Sequence, residues 1–197
     1  MCKVICVTNR HLVWGDFLTQ LEKIASAGVD GVILREKDMP EADYMRLAEE
    51  AVVVCRKYGV PLIAHTYIEA ARQLGISNIH LPLHLFLQMN EEQKRQFSVI
   101  GVSTHSAEEA GIAEKGCASY VTAGHVFATD CKKGLAPRGL KFLKEVCGAV
   151  HIPVYAIGGI TRENGADCIR AGAAGVCLMS SLMMAAEPGK LMEQLRV

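Results

Sequence analysis

The sequence predicts a (β/α)₈ barrel, the TIM-barrel fold, built as a single domain from residues 1–197. Eight short runs of β-branched and apolar residues alternate with longer segments of helical periodicity, a pattern typical of parallel β-α units. No linker rich in Gly, Pro or Ser, low-complexity tract or shift in charge divides the chain. A doubly wound open sheet is the alternative, because 197 residues are few for a barrel, which typically has about 250.

The predicted strands and helices alternate along the chain. The strands are predicted at residues 4–8, 31–35, 61–65, 78–81, 98–103, 120–123, 154–158 and 175–179. The helices are predicted at residues 17–27, 41–58, 67–74, 107–115, 140–147, 162–171 and 182–195, with a short polar helix at 90–96 in the fourth unit. Thr66 and Ser106 each stand three residues before a glutamate, which predicts capping boxes at two helix starts.

Composition restricts the classes of function. The 21 basic and 21 acidic residues balance, so no long-range field favours nucleic acid or an anionic membrane. The eight cysteines are dispersed without a Cys-x-x-Cys pair, which favours reduced thiols in the cytoplasm over a disulfide framework. The first residues lack the apolar region of a signal peptide, and no uncharged run is long enough to cross a membrane. We expect a soluble cytoplasmic protein that binds neither nucleic acid nor membranes.

The most informative segment is the loop at 124–134, which follows the apolar run at 120–123 and reads Gly-His-Val-Phe-Ala-Thr-Asp-Cys-Lys-Lys-Gly. It combines the imidazole of His125 with the ammonium groups of Lys132 and Lys133. Lysine neutralises phosphate, and histidine titrates near physiological pH, which suits an anionic ligand that gains or loses a proton. Cys131 as a nucleophile is the alternative, but no oxyanion site accompanies it.

Two loops near the end of the chain indicate a phosphate site. Gly158 and Gly159 end the seventh predicted strand, Ser180 and Ser181 end the eighth, and barrels frequently hold a phosphate at these loops. Glycines let a phosphate oxygen approach backbone N–H groups, and the start of the last helix adds donors without an acceptor. We predict that these four residues bind phosphate. For the glycine pair, a tight turn without a ligand is the alternative.

The second strand ends with two cations. Arg35 and Lys37 alternate with Glu36, so both side chains are expected on the same side, where they would meet a second anionic group. The alternative is an ion pair with Glu36 or Asp38.

Histidines collect at the other predicted strand ends, where His65, His80 and His105 lie. A metal site built from His65, His80 and His84 lacks a recognised ligand spacing, and we predict none. We expect the remaining two histidines, His11 and His151, to lie away from that rim.

Together, four motifs resemble those of the thiamine phosphate synthase/TenI superfamily, in that family's order and over residues 4–182. They are 34–37 (Leu-Arg-Glu-Lys), 100–105 (Ile-Gly-Val-Ser-Thr-His), the loop at 124–134, and 153–160 (Pro-Val-Tyr-Ala-Ile-Gly-Gly-Ile). The resemblance implies a (β/α)₈ barrel and a small-molecule thiazole phosphate as ligand. It also implies that Thr129 and Lys132 contact this ligand, that Arg35 or Lys37 meets a carboxylate, and that the protein forms a homodimer.

This family contains two enzymes, which differ in their metal ligands. The synthase joins a pyrimidine diphosphate to a thiazole phosphate with magnesium, held by an Asn-Asp pair after the third strand and an acid after the fourth. The corresponding segments here are 64–66 (Ala-His-Thr) and 80–85 (His-Leu-Pro-Leu-His-Leu), which contain no carboxylate. Since magnesium prefers hard oxygen ligands, this difference argues against synthase chemistry.

The loop after the sixth strand also separates the two enzymes. Where the synthase has proline, this chain has His125, and the loop is similar to that of the TenI thiazole tautomerase, whose corresponding histidine is the proposed acid/base. The resemblance implies an isomerase of thiamine biosynthesis that aromatises a thiazole carboxylate phosphate by proton transfer, without a metal or cofactor. The alternatives are a thiamine phosphate synthase and a non-catalytic, thiazole-phosphate-binding regulatory protein.

Overall fold

Eight parallel strands close into a barrel in sequence order, and β1 pairs with both β2 and β8. The computed structural model describes residues 2–132 and 134–195, with only the backbone of Cys131, so Lys133 and the Cys131 thiol lie outside the described residues. The strands are β1 Lys3–Val7, β2 Gly31–Leu34, β3 Leu62–His65, β4 Asn78–Pro82, β5 Val99–Thr104, β6 Tyr120–Gly124, β7 Val154–Ile157 and β8 Gly175–Leu178. The predicted barrel is confirmed, and each strand bound lies within one residue of its prediction.

Helices surround the barrel and connect its strands. They are α1 Phe17–Ser26, α2 Glu41–Lys57, α3 Ile68–Gln73, α4 Leu83–Phe86, α5 Glu91–Arg95, α6 Ala107–Lys115, α7 Gly139–Ala149, α8 Gly165–Arg170, α9 Ser180–Met183 and α10 Pro188–Leu195. The prediction of a single helix at 182–195 is wrong, because α9 ends at Met183 and a new helix begins at Pro188. Proline is tolerated at the first position of a helix because the N–H that it lacks would have no acceptor there. Within the described part of the chain, no helix is long and apolar enough to span a membrane.

One of the two predicted helix caps is wrong. Ser106 accepts a hydrogen bond from the backbone N–H of Glu109 at 3.0 Å and therefore caps α6 as predicted. The Glu109 carboxylate accepts from the N–H of His105 instead of completing the box. Thr66 does not cap α3, which begins after Tyr67 without a side-chain cap. Its hydroxyl lies against the His65 ring instead.

Strand side chains alternate between the barrel interior and the layer under the helices, because successive residues point to opposite faces. The interior layer contains Ile5, Val7, Ile33, Ile63, Tyr120, Tyr155 and Cys177. Arg35 lies two residues after Ile33, and His65 lies two residues after Ile63. Both side chains therefore continue this inner face at the carboxyl ends of β2 and β3. The fold thus delivers polar side chains to the mouth of the barrel.

Candidate active site

The residues predicted to bind or to transfer a proton all follow the carboxyl ends of strands. They are Arg35 and Lys37 after β2, His125, Thr129 and Lys132 after β6, Gly158 and Gly159 after β7, and Ser180 and Ser181 after β8. Because the strands are parallel and the barrel is closed, these loops share one rim, where barrel enzymes carry their active sites. The expectation that His11 lies elsewhere is wrong, since it follows β1 at the same rim and its Nε2 lies 2.8 Å from Asp38.

His125 is held by the far end of its own loop. The side chain is buried, with 8% exposed, and its Nε2 makes a long hydrogen bond of 3.4 Å to the carbonyl oxygen of Leu135. A carbonyl oxygen can only accept, so this contact requires the proton on Nε2 and leaves the lone pair on Nδ1. The backbone carbonyl of His125 also accepts from the N–H of Arg138 at 3.1 Å. This arrangement makes Nδ1 of His125 the atom able to take up a proton.

The glycine pair after β7 brings the β6 loop close to the β7 loop. Gly158 and Gly159 have φ angles of +99° and +64°, which side chains rarely adopt. A Cβ on Gly158 would overlap the side chain of His125 and lie 2.8 Å from its Cα, and one on Gly159 would overlap the carbonyl oxygen of Ala128. The amide of Val126 donates to the carbonyl of Ile157 at 2.9 Å. The absence of side chains on these two glycines therefore lets the β6 loop, with His125, pack directly against the predicted phosphate loop.

The two serines after β8 differ in their placement. Ser181 donates its hydroxyl to the carbonyl oxygen of Ile160 at 3.1 Å and so ties this loop to the one after β7. Ser180 is exposed and is the first residue of α9, where backbone N–H groups have no acceptor within the helix. Of the two hydroxyls, that of Ser180 is the better placed to meet a phosphate.

Both carboxylates near Arg35 and Lys37 pair with another residue, Arg10. Glu36 is buried and accepts from the Thr8 hydroxyl at 2.7 Å and from the Arg10 guanidinium at 3.2 Å. The two oxygens of Asp38 accept from Arg10 at 2.8 and 2.7 Å. The predicted alternative of an ion pair between these carboxylates and Arg35 or Lys37 is therefore wrong.

Arg35, Lys37 and Lys132 form a group of cations at the rim. Burial, followed by the nearby charges of Arg35 and Lys132, lowers the pKa of the Lys37 ammonium. Among residues 2–132 and 134–195, no carboxylate pairs with any of the three. Like charges this close repel one another, so a bound anion would relieve the repulsion. This group is the cationic side of the candidate site.

A buried hydrogen-bonded chain lies beneath these cations. His80 contacts the Tyr120 hydroxyl through Nδ1 at 3.0 Å and the Ser103 hydroxyl through Nε2 at 2.8 Å. The His65 and His80 rings stack with centroids 5.8 Å apart. Sequence reasoning left the role of His80 open and missed Tyr120. The alternation of inward and outward side chains along a strand could have revealed this contact. Gly101 and Ser103 on β5 occupy inward positions, as does Tyr120 on β6.

Both of these histidines are neutral at physiological pH. Burial and the Lys37 charge lower the pKa of His80 to about 3. Burial and the neighbours His80, Lys37 and Arg35 lower the pKa of His65 to about 2. In the unfolded chain a histidine has a pKa of about 6.5. Between the pKa of each histidine in the folded protein and about 6.5, the unfolded chain therefore binds more protons than the folded protein.

We expect the protein to lose stability in mild acid for this reason. The contribution of each neutral histidine is fully present above about pH 6.5 and falls by up to about 1.4 kcal/mol per pH unit as the pH drops toward the folded pKa. Urea unfolding between pH 7 and pH 5 measures the slope. His80→Gln should flatten it, whereas His84→Gln, at an exposed position, should not. An unchanged slope in His80→Gln would contradict this origin.

The ends of β3 and β4 do not fit the magnesium of the synthase. Magnesium prefers carboxylate and other hard oxygen ligands. The side chains at these ends are His65, Thr66, Pro82 and Leu83, none of which carries a carboxylate, and Nδ1 of His65 already contacts the Thr66 hydroxyl. Where the chain is described, no group of three or more His, Cys, Asp or Glu side chains could hold a metal ion.

Comparison with known proteins identifies the family. The family model described as thiamine monophosphate synthase matches residues 4–182. The chain is 35% identical over 181 residues to a putative thiamine-phosphate synthase 2 of Aquifex aeolicus, covering 92% of this chain and 97% of that protein. It is 34% identical over 188 residues to a thiamine-phosphate synthase of Clostridium novyi, covering 92% and 90%.

Solved structures agree with the sequence comparison. A thiamine phosphate pyrophosphorylase from Pyrococcus furiosus superposes with a TM-score of 0.86 at 27% identity, covering 98% of this chain and 93% of that one. A 3-hexulose-6-phosphate synthase superposes with a TM-score of 0.74 at 16% identity, a likeness of fold alone. This chain therefore belongs to the thiamine phosphate synthase/TenI superfamily of thiamine-biosynthesis enzymes.

Proposed function

We propose that this protein is a thiazole tautomerase that converts a non-aromatic thiazole carboxylate phosphate into its aromatic isomer. The observation that carries the proposal is the position of His125. Its imidazole is buried, and because Nε2 donates to the Leu135 carbonyl, Nδ1 keeps a lone pair that can accept a proton. It lies directly against the glycine pair predicted to hold the phosphate of the substrate. A proton-transfer group and an anion site are thus adjacent.

The substrate would span the mouth between two anion sites. Its phosphate would meet the loops after β7 and β8 through Gly158, Gly159, Ser180 and Ser181, with Thr129 and Lys132 on the β6 loop beside it. Its carboxylate would meet the cations Arg35 and Lys37, which no carboxylate of the described chain neutralises. Two separated anchors fix the ring against His125, and such orientation supplies a large part of catalysis.

The chemistry requires one base that becomes one acid. Nδ1 of His125 removes the proton from the ring carbon, and the electron pair of that C–H bond moves into the ring. The exocyclic double bond shifts into the ring system, and its outer carbon takes a proton from the His125 imidazolium. The ring is then aromatic, and no atoms are gained or lost. General acid/base catalysis of this kind typically contributes about 10²- to 10⁴-fold in rate.

Thiamine phosphate synthase is the second candidate, because the relatives of this chain carry that name. The side chains at the ends of β3 and β4 are poor ligands for magnesium, which argues against synthase activity. A diphosphate leaving group needs its charge neutralised, and His65 and Thr66 stand where a carboxamide and a carboxylate would be required.

Two assays on the purified protein separate the candidates. In the first, the non-aromatic thiazole carboxylate phosphate is added in the presence of a chelator, and aromatisation is followed by ultraviolet absorbance and proton NMR. In the second, the pyrimidine diphosphate and the thiazole phosphate are added with magnesium, and thiamine phosphate is measured. We expect turnover in the first assay alone. Thiamine phosphate formation without aromatisation would contradict the proposal and favour the synthase.

A further inference from the structure

His65 presents a buried ring nitrogen that has no partner in the described structure. The residue is 5% exposed. Its Nδ1 lies 2.6 Å from the Thr66 hydroxyl, but no hydrogen bond to Nε2 occurs among residues 2–132 and 134–195. Buried polar side-chain atoms nearly always have a partner, so an open one needs an explanation. Since His65 continues the inner face of β3, this nitrogen belongs to the barrel mouth.

The orientation of the His65 ring is fixed at a cost in backbone strain. Thr66 has a φ of +73°, an outlier for a β-branched residue. The turn is closed by the N–H of Tyr67, which donates to the carbonyl of His65 at 2.8 Å. In this strained conformation the Thr66 hydroxyl reaches Nδ1 at the edge of the ring, and the face of the ring stacks on His80. Strain of this kind persists where surrounding contacts impose it and is concentrated at functional sites.

The charges around His65 indicate what its open nitrogen binds. Arg35 and Lys37 are close enough to lower the pKa of His65, together with burial and His80, so the ring is neutral. A lone pair on Nε2 would accept from one of these cations, and no such hydrogen bond occurs in the described structure. If instead the Thr66 hydroxyl donates to Nδ1, Nε2 carries the proton. An anion held by Arg35 and Lys37 can then accept from it as well.

We propose that Nε2 of His65 donates a hydrogen bond to the carboxylate of the substrate, and that this contact selects the carboxylated thiazole phosphate over the same compound without a carboxylate. The inference rests on the proposed function and adds a specificity residue to it. A site built to hydrogen-bond a substrate group rejects the analogue that lacks it, because its own buried donor and charges are then left unpaired.

Binding measurements test this without turnover. Isothermal titration calorimetry compares two aromatic ligands, the thiazole carboxylate phosphate and the thiazole phosphate that lacks the carboxylate. His65→Phe keeps the ring that stacks on His80 and removes both nitrogens, whereas His65→Gln keeps an N–H donor. Losing a hydrogen bond to a charged group typically weakens binding roughly ten- to hundredfold. We expect that loss in His65→Phe for the carboxylated ligand alone, and partial recovery in His65→Gln.

A second substitution tests the contact of His65 with the carboxylate even if the His65 variants fail to fold. Thr66→Val keeps the shape of the side chain but removes the hydroxyl that holds Nδ1, so it should also weaken binding of the carboxylated ligand alone. His84→Phe, at an exposed position, is the matched control and should bind both ligands like the wild type.

The possible failures are distinguishable. If the folded His65 and Thr66 variants bind both ligands as the wild type does, or weaken both equally, His65 has no role in selecting the carboxylate and this inference is wrong. The proposed function stands in that case. If the wild-type protein binds neither ligand, the proposed function is contradicted and this inference falls with it.

Discussion

Replacing His125 with asparagine should lower kcat for aromatisation by about 10²- to 10⁴-fold. Asn is too short to reach the Leu135 carbonyl, so the 3.4 Å contact made by His125 is lost as well. The hydrogen bond from the Arg138 N–H to the backbone carbonyl of residue 125, at 3.1 Å, does not depend on the side chain and should keep the loop in shape. An amide cannot take up and return a proton near neutral pH, so the proton transfer is lost. The measurement is kcat with saturating substrate, with KM recorded as evidence that binding survives.

His151→Asn is the matched control for this substitution. His151 is exposed and precedes β7 at the amino end of the barrel, opposite to the mouth. Its backbone N–H donates to Glu114 at 2.7 Å, a contact that the substitution preserves. This variant should turn over like the wild type. A His125→Asn protein that aromatises the tautomer at the wild-type rate would show that His125 is not the acid/base.

Gly101→Ala should destabilise the barrel strongly. A Cβ at position 101 would overlap the Tyr120 ring and lie 2.5 Å from Nδ1 of His80, between two side chains joined by a hydrogen bond. Overpacking and the loss of that bond together are expected to cost about 2–4 kcal/mol. For a chain of this size that lowers Tm by roughly 5–15 °C, which thermal unfolding measures.

Gly111→Ala provides the comparison. Gly111 lies in α6, and a Cβ there meets no atom of the described residues within 4 Å. Alanine is favoured over glycine inside a helix by up to about 1 kcal/mol, so this variant should be as stable as the wild type or more so. If Gly101→Ala were equally stable, the close packing of Tyr120 and His80 against β5 would be contradicted.

The barrel could be predicted because its signals are local. Each strand is a short apolar run between polar turns, and every run produced a strand within one residue of its predicted bounds. Helix ends were harder because they depend on backbone geometry. The spacing of Thr66 and Glu69 satisfies a capping box, but spacing does not reveal that Thr66 adopts a positive φ and turns its hydroxyl toward His65.

The position of the candidate residues at one rim was predictable, and their contacts were less so. Strand ends in a barrel must meet, so Arg35 and His125 were placed at one rim by topology alone. The partner of Glu36 was missed because Arg10 comes from the loop after β1, far away in sequence. The close packing of Gly158 against His125 was missed for the same reason, since it arises between two loops.

The central claim is that His125 transfers the proton to and from a thiazole anchored by its phosphate, and a crystal structure with the aromatic thiazole carboxylate phosphate bound tests it most directly. We predict the phosphate against Gly159 and Ser180, and the reacting ring carbon within about 3–3.5 Å of Nδ1 of His125. A bound ring whose reacting carbon lies out of reach of His125, with the phosphate held elsewhere, would contradict the account.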